Sequence, residues 1–214
     1  MVGTKAPQPA AMDAALMLHF RIRDYLSILF YRLIGGAFGS MGKGVRIVRP
    51  LRIFGARYCH FDEGAVVQFG AYLAALKQGE AHPVLRIGSR TMIGNHAHIV
   101  ATRRVEFGRN VLTADRLFVS DNRHTYEDPR VPVRDQGLTQ LADVMIGDGS
   151  WIGENVCICG ASVVAQCVIA ANSVVTRDIA DACVAAGAPA RVVKRYCETR
   201  QVWRRTNAAG GFCE

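Results

Sequence analysis

Aliphatic and aromatic residues recur every six positions along much of this 214-residue chain, and that spacing limits the fold more than any other feature. They fall at Phe61, Val67 and Leu73, at Ile87, Ile93 and Ile99, at Ile146, Ile152 and Ile158, and at Val163, Ile169 and Val175; Phe107 and Val119 keep the step with Thr113 between them. Glycine follows directly in Ile87-Gly88, Ile93-Gly94, Phe107-Gly108, Ile146-Gly147 and Ile152-Gly153. A helix repeats about every 3.6 residues and a half-buried strand every second one, so a six-residue period requires a short strand plus a turn. Three such hexads make one triangular coil. The residue opening each hexad points inward onto its equivalents in neighbouring coils, and the following glycine relieves crowding at the corner. The strands of a β-sandwich recur about every 8–12 residues instead, which sets that architecture aside.

Two segments interrupt the period. Residues 74–86 contain Lys77-Gln78-Gly79-Glu80 and His82-Pro83, and residues 121–143 run from Asp121 through Pro129, Pro132 and Gly137. Long polar excursions from a compact repeat usually carry function. Between Ile158 and Val163 the step is five residues, which leaves one coil a residue short. Ahead of the repeat, residues 11–34 hold Leu18, Ile22, Leu26, Leu29 and Leu33 at the spacing of an amphipathic helix. Such a helix either caps the open end of the stack or touches a membrane surface. Asp13, His19, Arg21, Arg23, Asp24 and Arg32 interrupt it too often for a spanning segment. Residues 190–206 read as a second, basic helix after Pro189. The expected organisation is an N-terminal helix and linker (1–42), a repeat domain (43–188) and a basic C-terminal helix and tail (189–214).

Composition agrees with a fold organised by turns, with 21 glycines, seven prolines and only 8% aromatics. The net charge of +8 suits a polyanionic ligand, an acidic membrane surface or nucleic acid. Between Arg177 and Arg205 seven Lys and Arg stand against three acids, so part of that surplus is local. Seven cysteines, an odd number in a chain with no signal-peptide pattern, favour a reducing cytoplasm over a disulfide framework.

Three motifs carry a resemblance. Ile146-Gly147-Asp148-Gly149-Ser150-Trp151-Ile152-Gly153, then Ala171-Asn172-Ser173-Val174-Val175-Thr176-Arg177-Asp178-Ile179, then Ala186-Gly187-Ala188-Pro189-Ala190 resemble the C-terminal half of the hexapeptide-repeat acyltransferases. The match is closest to the branch of maltose, galactoside, streptogramin and polysaccharide O-acetyltransferases, and it spans roughly residues 45–195. It implies an all-β left-handed parallel β-helix, flanked here by the two expected helices. It also implies acetyl-CoA as the acyl donor, no metal, and a homotrimer with active sites between subunits. The implied acceptor is a sugar hydroxyl of a surface polysaccharide (O-antigen, capsule) or its precursor, acetylated in the cytoplasm, at the inner face of the membrane if the N-terminal helix touches it. A streptogramin-type antibiotic is the other acceptor the branch suggests.

The family keeps its catalytic histidine on the excursion before the Ile-Gly-Asp coil. Asp121-Asn122-Arg123-His124-Thr125-Tyr126 occupies that place and resembles the Asp-His-x-His-x-Tyr stretch of polysaccharide O-acetyltransferases, which makes His124 the implied general base. The chemistry agrees, because a hydroxyl attacking a thioester must lose its proton and imidazole titrates near neutrality. Asn122 stands where relatives often have a second histidine. Asp121, Asn122 and Tyr126 are implied at the acceptor, with Asp121 either orienting the imidazole or binding sugar. The resemblance puts Trp151 beside the acetyl and pantetheine end of the cofactor, and a backbone N–H of Gly153 or Glu154 at the thioester oxygen. Ala171, Thr176, Arg177, Arg191 and Lys194 are implied along the rest of CoA, the cations on its phosphates. Ala188 departs from the more frequent Asn of that turn.

Other readings fit less well. γ-Class carbonic anhydrases share the repeat and bind zinc through three histidines, for which His96, His98 and His124 could be put forward. Position 119 is Val, however, so the His-x4-His pair is missing. Cys157, Cys159 and Cys167 lack an evident fourth ligand. A non-catalytic scaffold would have no need of the loop histidine and the basic C-terminal set. Nucleic-acid binding lacks an accompanying aromatic pattern.

Overall fold

Each hexad becomes one short strand and one corner. The computed structural model describes residues 11–80, 82–207 and 211–213; residues 1–10 of the N-terminal segment and 208–210 and 214 of the C-terminal tail lie outside the described residues. Inward residues stack in register on three faces of a prism, parallel strand upon parallel strand. Met41, Phe61, Ile87, Phe107 and Ile146 lie over one another on the first face, which single bridges extend to Val163 and Ile179. The second face carries Ile47, Val67, Ile93, Thr113, Ile152, Ile169 and Ala185. The third carries Ile53, Leu73, Ile99, Val119, Ile158 and Val175. The hexads from Phe61 to Val175 thus form coils as the period requires. A further coil, Met41-Ile47-Ile53, precedes them, so the stack begins at the strand Ser40–Met41 rather than at residue 43. Thr113 is the polar member of the inward series, and its Oγ1 accepts a hydrogen bond from the Gly94 backbone N–H at 2.9 Å.

From Phe61 through Ile179, two of the three corners follow one rule. The third residue after the inward one has a positive φ, at Gly64, Asn110 and Gly149 on the first corner and at Gly70, Asn155 and Asn172 on the second. Arg90 and Arg116 adopt it too, although such backbone is uncommon outside Gly and Asn; the coil imposes it. The glycine beside each inward residue has a different reason. A Cβ on Gly147 or Gly153 would come within 2.6 Å of the next coil's backbone nitrogen, at Ala165 or Ala171. Aspartates fasten corner to corner: Asp115 accepts from the Asn95 N–H (2.8 Å) and Asp148 from the Arg109 N–H (2.8 Å), and on the third corner Asp178 accepts from the Ser162 N–H (2.7 Å).

All the irregularity is gathered at the third corner. The step from a third-face residue to the next first-face residue ranges from four residues, Val175 to Ile179, to 27, Val119 to Ile146. The five-residue step from Ile158 to Val163 is therefore a tight version of a variable corner, turned at Gly160 with φ of 55°, and not a coil cut short. Both excursions leave from this corner. The first is confined to residues 76–83, since Tyr72–Ala75 and Val84–Ile87 are coil strands, and is shorter than the 74–86 expected. The second spans 121–143 and carries its own antiparallel hairpin, Asn122–His124 with Leu138–Gln140.

The expected C-terminal helix is corrected to a β-hairpin. Arg191–Cys197 runs antiparallel to Cys183–Ala186, and Val202–Arg205 returns along it. Val192, Val193, Tyr196, Val202 and Trp203 favour extended chain. The last coil also leaves a sheet edge with unpaired N–H and C=O groups, which the hairpin satisfies.

The N-terminal helix, Ala11–Leu33, forms as its spacing predicts but does not cap the stack with its leucine stripe. It meets the first coil through polar groups. Ser27 Oγ donates to the Ile47 carbonyl (3.1 Å) and accepts from the Arg49 N–H (2.7 Å), while Arg49 Nε donates to Asp24 (2.8 Å). Phe38, edge-on to Phe61 at 5.5 Å and backed by Tyr31, closes that end of the core.

Candidate active site

A groove of about 440 Å³ opens on the third face beneath the long excursion. Its floor comes from two outward columns of the stack. One column passes through Tyr72, His98, Phe118 and Cys157, the other through Ala74, Val100, Ser120 and Cys159. The excursion hairpin forms the wall with Asn122, Arg123, His124 and Leu138. His124 sits at the hairpin position opposite Leu138, exposed, with no hydrogen-bond partner among the described residues. Its imidazole is therefore open to the groove. His98 stacks on Tyr72 at 4.4 Å, and its burial lowers its pKa below the usual histidine value.

Asp121 does not reach this groove. It is 0% exposed, and its carboxylate accepts from the backbone N–H groups of Thr102 (2.9 Å), Arg103 (2.7 Å) and Arg104 (2.7 Å), from Thr102 Oγ1 and from Asn122 Nδ2. It neither orients His124 nor meets an acceptor; it holds the root of the excursion to the coil before. Asn122 lines the groove. Tyr126, 61% exposed, stands outside the lining with its ring under the Arg123 guanidinium, 4.3 Å from ring centre to Cζ. Arg123 also donates to Glu127 Oε1 (2.6 Å), which with the Tyr126 backbone N–H holds that carboxyl below the usual range. The other groove residues, among them His98, Ser120 and Cys159, escaped sequence reasoning. The hexad period marks which residues point outward but not which outward column lies beneath a hairpin.

A second groove of about 430 Å³ lies on the second face and corner, lined by Ala114, Trp151, Gly153, Glu154 and residues 168–171. It gathers four of the residues expected along the cofactor: Trp151, Gly153, Glu154 and Ala171. The Gly153 N–H is already given to the Ile169 carbonyl (2.8 Å) and is not a free donor. The N–H groups of Glu154 and Ala171 have no partner among the described residues. Glu154's carboxylate pairs with Arg116. From this groove a ladder runs along the second face, Trp151 beside Val168, Val168 beside Val184, Val184 beside Lys194, Lys194 beside Arg205. Three strand spacings separate Trp151 from Lys194, about 14 Å. A bulge between Val184 and Ala185 keeps Arg191 and Lys194 on the outward side while Val192 turns to the core. Thr176 and Arg177 are not brought to this groove; they lie exposed where the chain leaves the third face.

His96 lies on the second corner, edge-on to Phe69 at 5.1 Å, apart from the groove that holds His98 and His124. Among the described residues no three His, Cys, Asp or Glu side chains cluster as metal ligands.

The chain is 28% identical over 172 residues to WbbJ of Escherichia coli K12, named as a lipopolysaccharide biosynthesis O-acetyl transferase, covering 76% of this chain and 85% of that protein. It is 33% identical over 111 residues to the galactoside O-acetyltransferase of Escherichia coli K12, covering 51% of this chain and 53% of the relative. AntD, an N-acyltransferase from Bacillus cereus solved with dTDP and 3-hydroxybutyryl-CoA, superposes with a TM-score of 0.65 at 16% identity, over 80% of this chain and 90% of AntD. No protein-family model matches the chain. The coil geometry and the structural neighbours define a left-handed β-helix fold. The curated relatives are named as acetyltransferases, and the structural neighbours share the repeat fold.

Proposed function

We propose that this acyltransferase moves the acetyl group of acetyl-CoA to a sugar hydroxyl of a surface polysaccharide or its precursor. The observation that carries the reading is a His124 imidazole without a partner among the described residues, in a groove lined by coil and excursion, on a chain that also holds an aromatic-to-cation ladder about 14 Å long. In the transfer, His124 takes the hydroxyl proton as the oxygen forms its bond to the acetyl carbon. The carbon–sulfur bond breaks, and the CoA thiolate regains a proton. The free N–H of Glu154 suits the oxygen on which negative charge develops. Trp151 would cover the acetyl and pantetheine end, and Lys194 with Arg191 would meet phosphate. Thr176 and Arg177, a corner away, would serve the same CoA only from another direction.

The two grooves open on adjacent faces of one chain and do not share a wall. A complete site therefore calls for the third face of one subunit against the second-face groove of its neighbour, which supports the homotrimer reading. The reaction belongs in the cytoplasm, where acetyl-CoA is supplied. The test is His124→Ala, assayed by thiol release with acetyl-CoA and a panel of glycan acceptors. Removal of a general base lowers kcat by about 10²–10⁴-fold with CoA binding retained. Full activity in that variant overturns the assignment. Mixing inactive His124→Ala subunits with inactive Trp151→Ala subunits should restore activity in hetero-trimers if the site is shared.

A further inference from the structure

The N-terminal helix turns its apolar side to solvent. Leu18, Ile22, Leu26, Leu29 and Leu33 are 58, 50, 56, 41 and 77% exposed, and Phe20, Tyr25 and Phe30 are exposed beside them. At about 100° per residue the stripe is centred opposite Asp24, Ser27 and Tyr31, the positions that meet the first coil and its closing Phe38. Arg21 and Arg32 lie along one border of the stripe and Arg23 along the other. Single exposed leucines are ordinary, but a contiguous stripe marks a contact surface.

Charge gathers at the same end. Between residues 14 and 61 there are eight Lys and Arg and one acid, Asp24, which is paired with Arg49. Residues 62–176 hold ten Lys and Arg against twelve acids. Most of the chain's surplus therefore sits beside the helix, and less of it at the C-terminal hairpin than the basic run after Arg177 suggested. A second helix packed stripe to stripe would set its bordering Arg21, Arg23 and Arg32 against their counterparts, a like-charge juxtaposition that opposes such pairing. An anionic bilayer offers the opposite: a boundary that takes up leucine and phenylalanine, and a negative surface for the arginines at the stripe's edges.

We propose that the N-terminal helix docks the protein on an anionic membrane surface, lying in the interface plane with its leucine stripe in the headgroup boundary. No helix of the described residues is long and apolar enough to cross a membrane. The docking depends neither on the acceptor nor on His124, so its failure leaves the acetyl-transfer reading standing.

The test uses the full chain, sedimented with phosphatidylcholine vesicles that contain phosphatidylglycerol and with pure phosphatidylcholine vesicles. Binding to the anionic vesicles should be at least about tenfold tighter and should weaken as salt is raised. Leu26→Glu with Leu29→Glu, at exposed positions on the side away from Asp24 and Ser27, should lower that binding at least about tenfold with the thermal midpoint and acetyl transfer to a soluble acceptor unchanged. Equal binding by this double variant, or no binding of the unaltered chain to anionic vesicles, overturns the proposal. So does a change of oligomeric state in the double variant without a change in vesicle binding, which would assign the stripe to a second copy.

Discussion

Replacing Asp121 separates support from chemistry in the groove. The residue stands three positions before His124, yet its carboxylate faces away, with the Thr102, Arg103 and Arg104 backbone N–H groups as donors at 2.9, 2.7 and 2.7 Å. Asp121→Ala leaves three backbone donors without an acceptor in a site that is 0% exposed in the native chain. At about 1–3 kcal/mol per orphaned group, offset in part by water entering the vacated space, the loss is about 3–5 kcal/mol. For a chain of this size that lowers the thermal midpoint by roughly 6–20 °C. Asp121→Asn keeps one accepting oxygen and should fall between. The assay pairs a melting curve followed by circular dichroism with acetyl-transfer rates taken well below the lowered midpoint. There kcat should remain within about threefold of the unaltered enzyme, because nothing joins Asp121 to the imidazole. A variant with an unchanged midpoint and kcat lowered by orders of magnitude would refute the reasoning, and would mean that Asp121 orients His124 after all.

Thr113→Val removes the acceptor of the buried Gly94 N–H at nearly constant volume and should cost about 1–3 kcal/mol in urea unfolding, whereas Ile93→Val in the preceding coil should cost about 0.5–1.5 kcal/mol. Cys157 and Cys159 lie 3.6 Å apart, and the hydrogen bond from Cys159 brings the Cys157 thiol to about 7. Alkylation of Cys157 should rise with a midpoint near that pH, and Cys159→Ala should move the midpoint toward the usual cysteine value of about 8.5. Burial lowers the pKa of His98 and His60, so the folded chain holds both neutral more firmly than the unfolded chain does. Their contribution to stability is present above the unfolded value of about 6.5 and is lost as pH falls below it. Melting curves between neutral and mildly acidic buffer should show that loss, reduced in His98→Gln.

The parts of the fold set by repetition were legible in the chain. A period of six with glycine beside the apolar residue left one solution, because neighbouring coils approach so closely that Gly153 has no room for a Cβ beside Ala171. Elements outside the repeat were less secure. Arg191–Cys197 has the charge of a helix and the valines of a strand, and the open edge of Cys183–Ala186 settled the matter. His124 could be singled out by its place on the excursion. Its neighbours in the groove could not, since His98 and Cys159 are 26 and 35 positions away and meet it only because the chain winds.

By itself the sequence determined the coil and its inward stack, for these follow from local spacing. Tertiary structure alone decided three things: that every excursion leaves from one corner, that Asp121 is spent on backbone instead of catalysis, and that the leucine stripe faces outward while Asp24 and Ser27 meet the coil. Periodicity tells which residues share a face. Only the positions of competing partners, here the Arg49 and Ile47 groups that take Asp24 and Ser27, tell which face is turned to the protein.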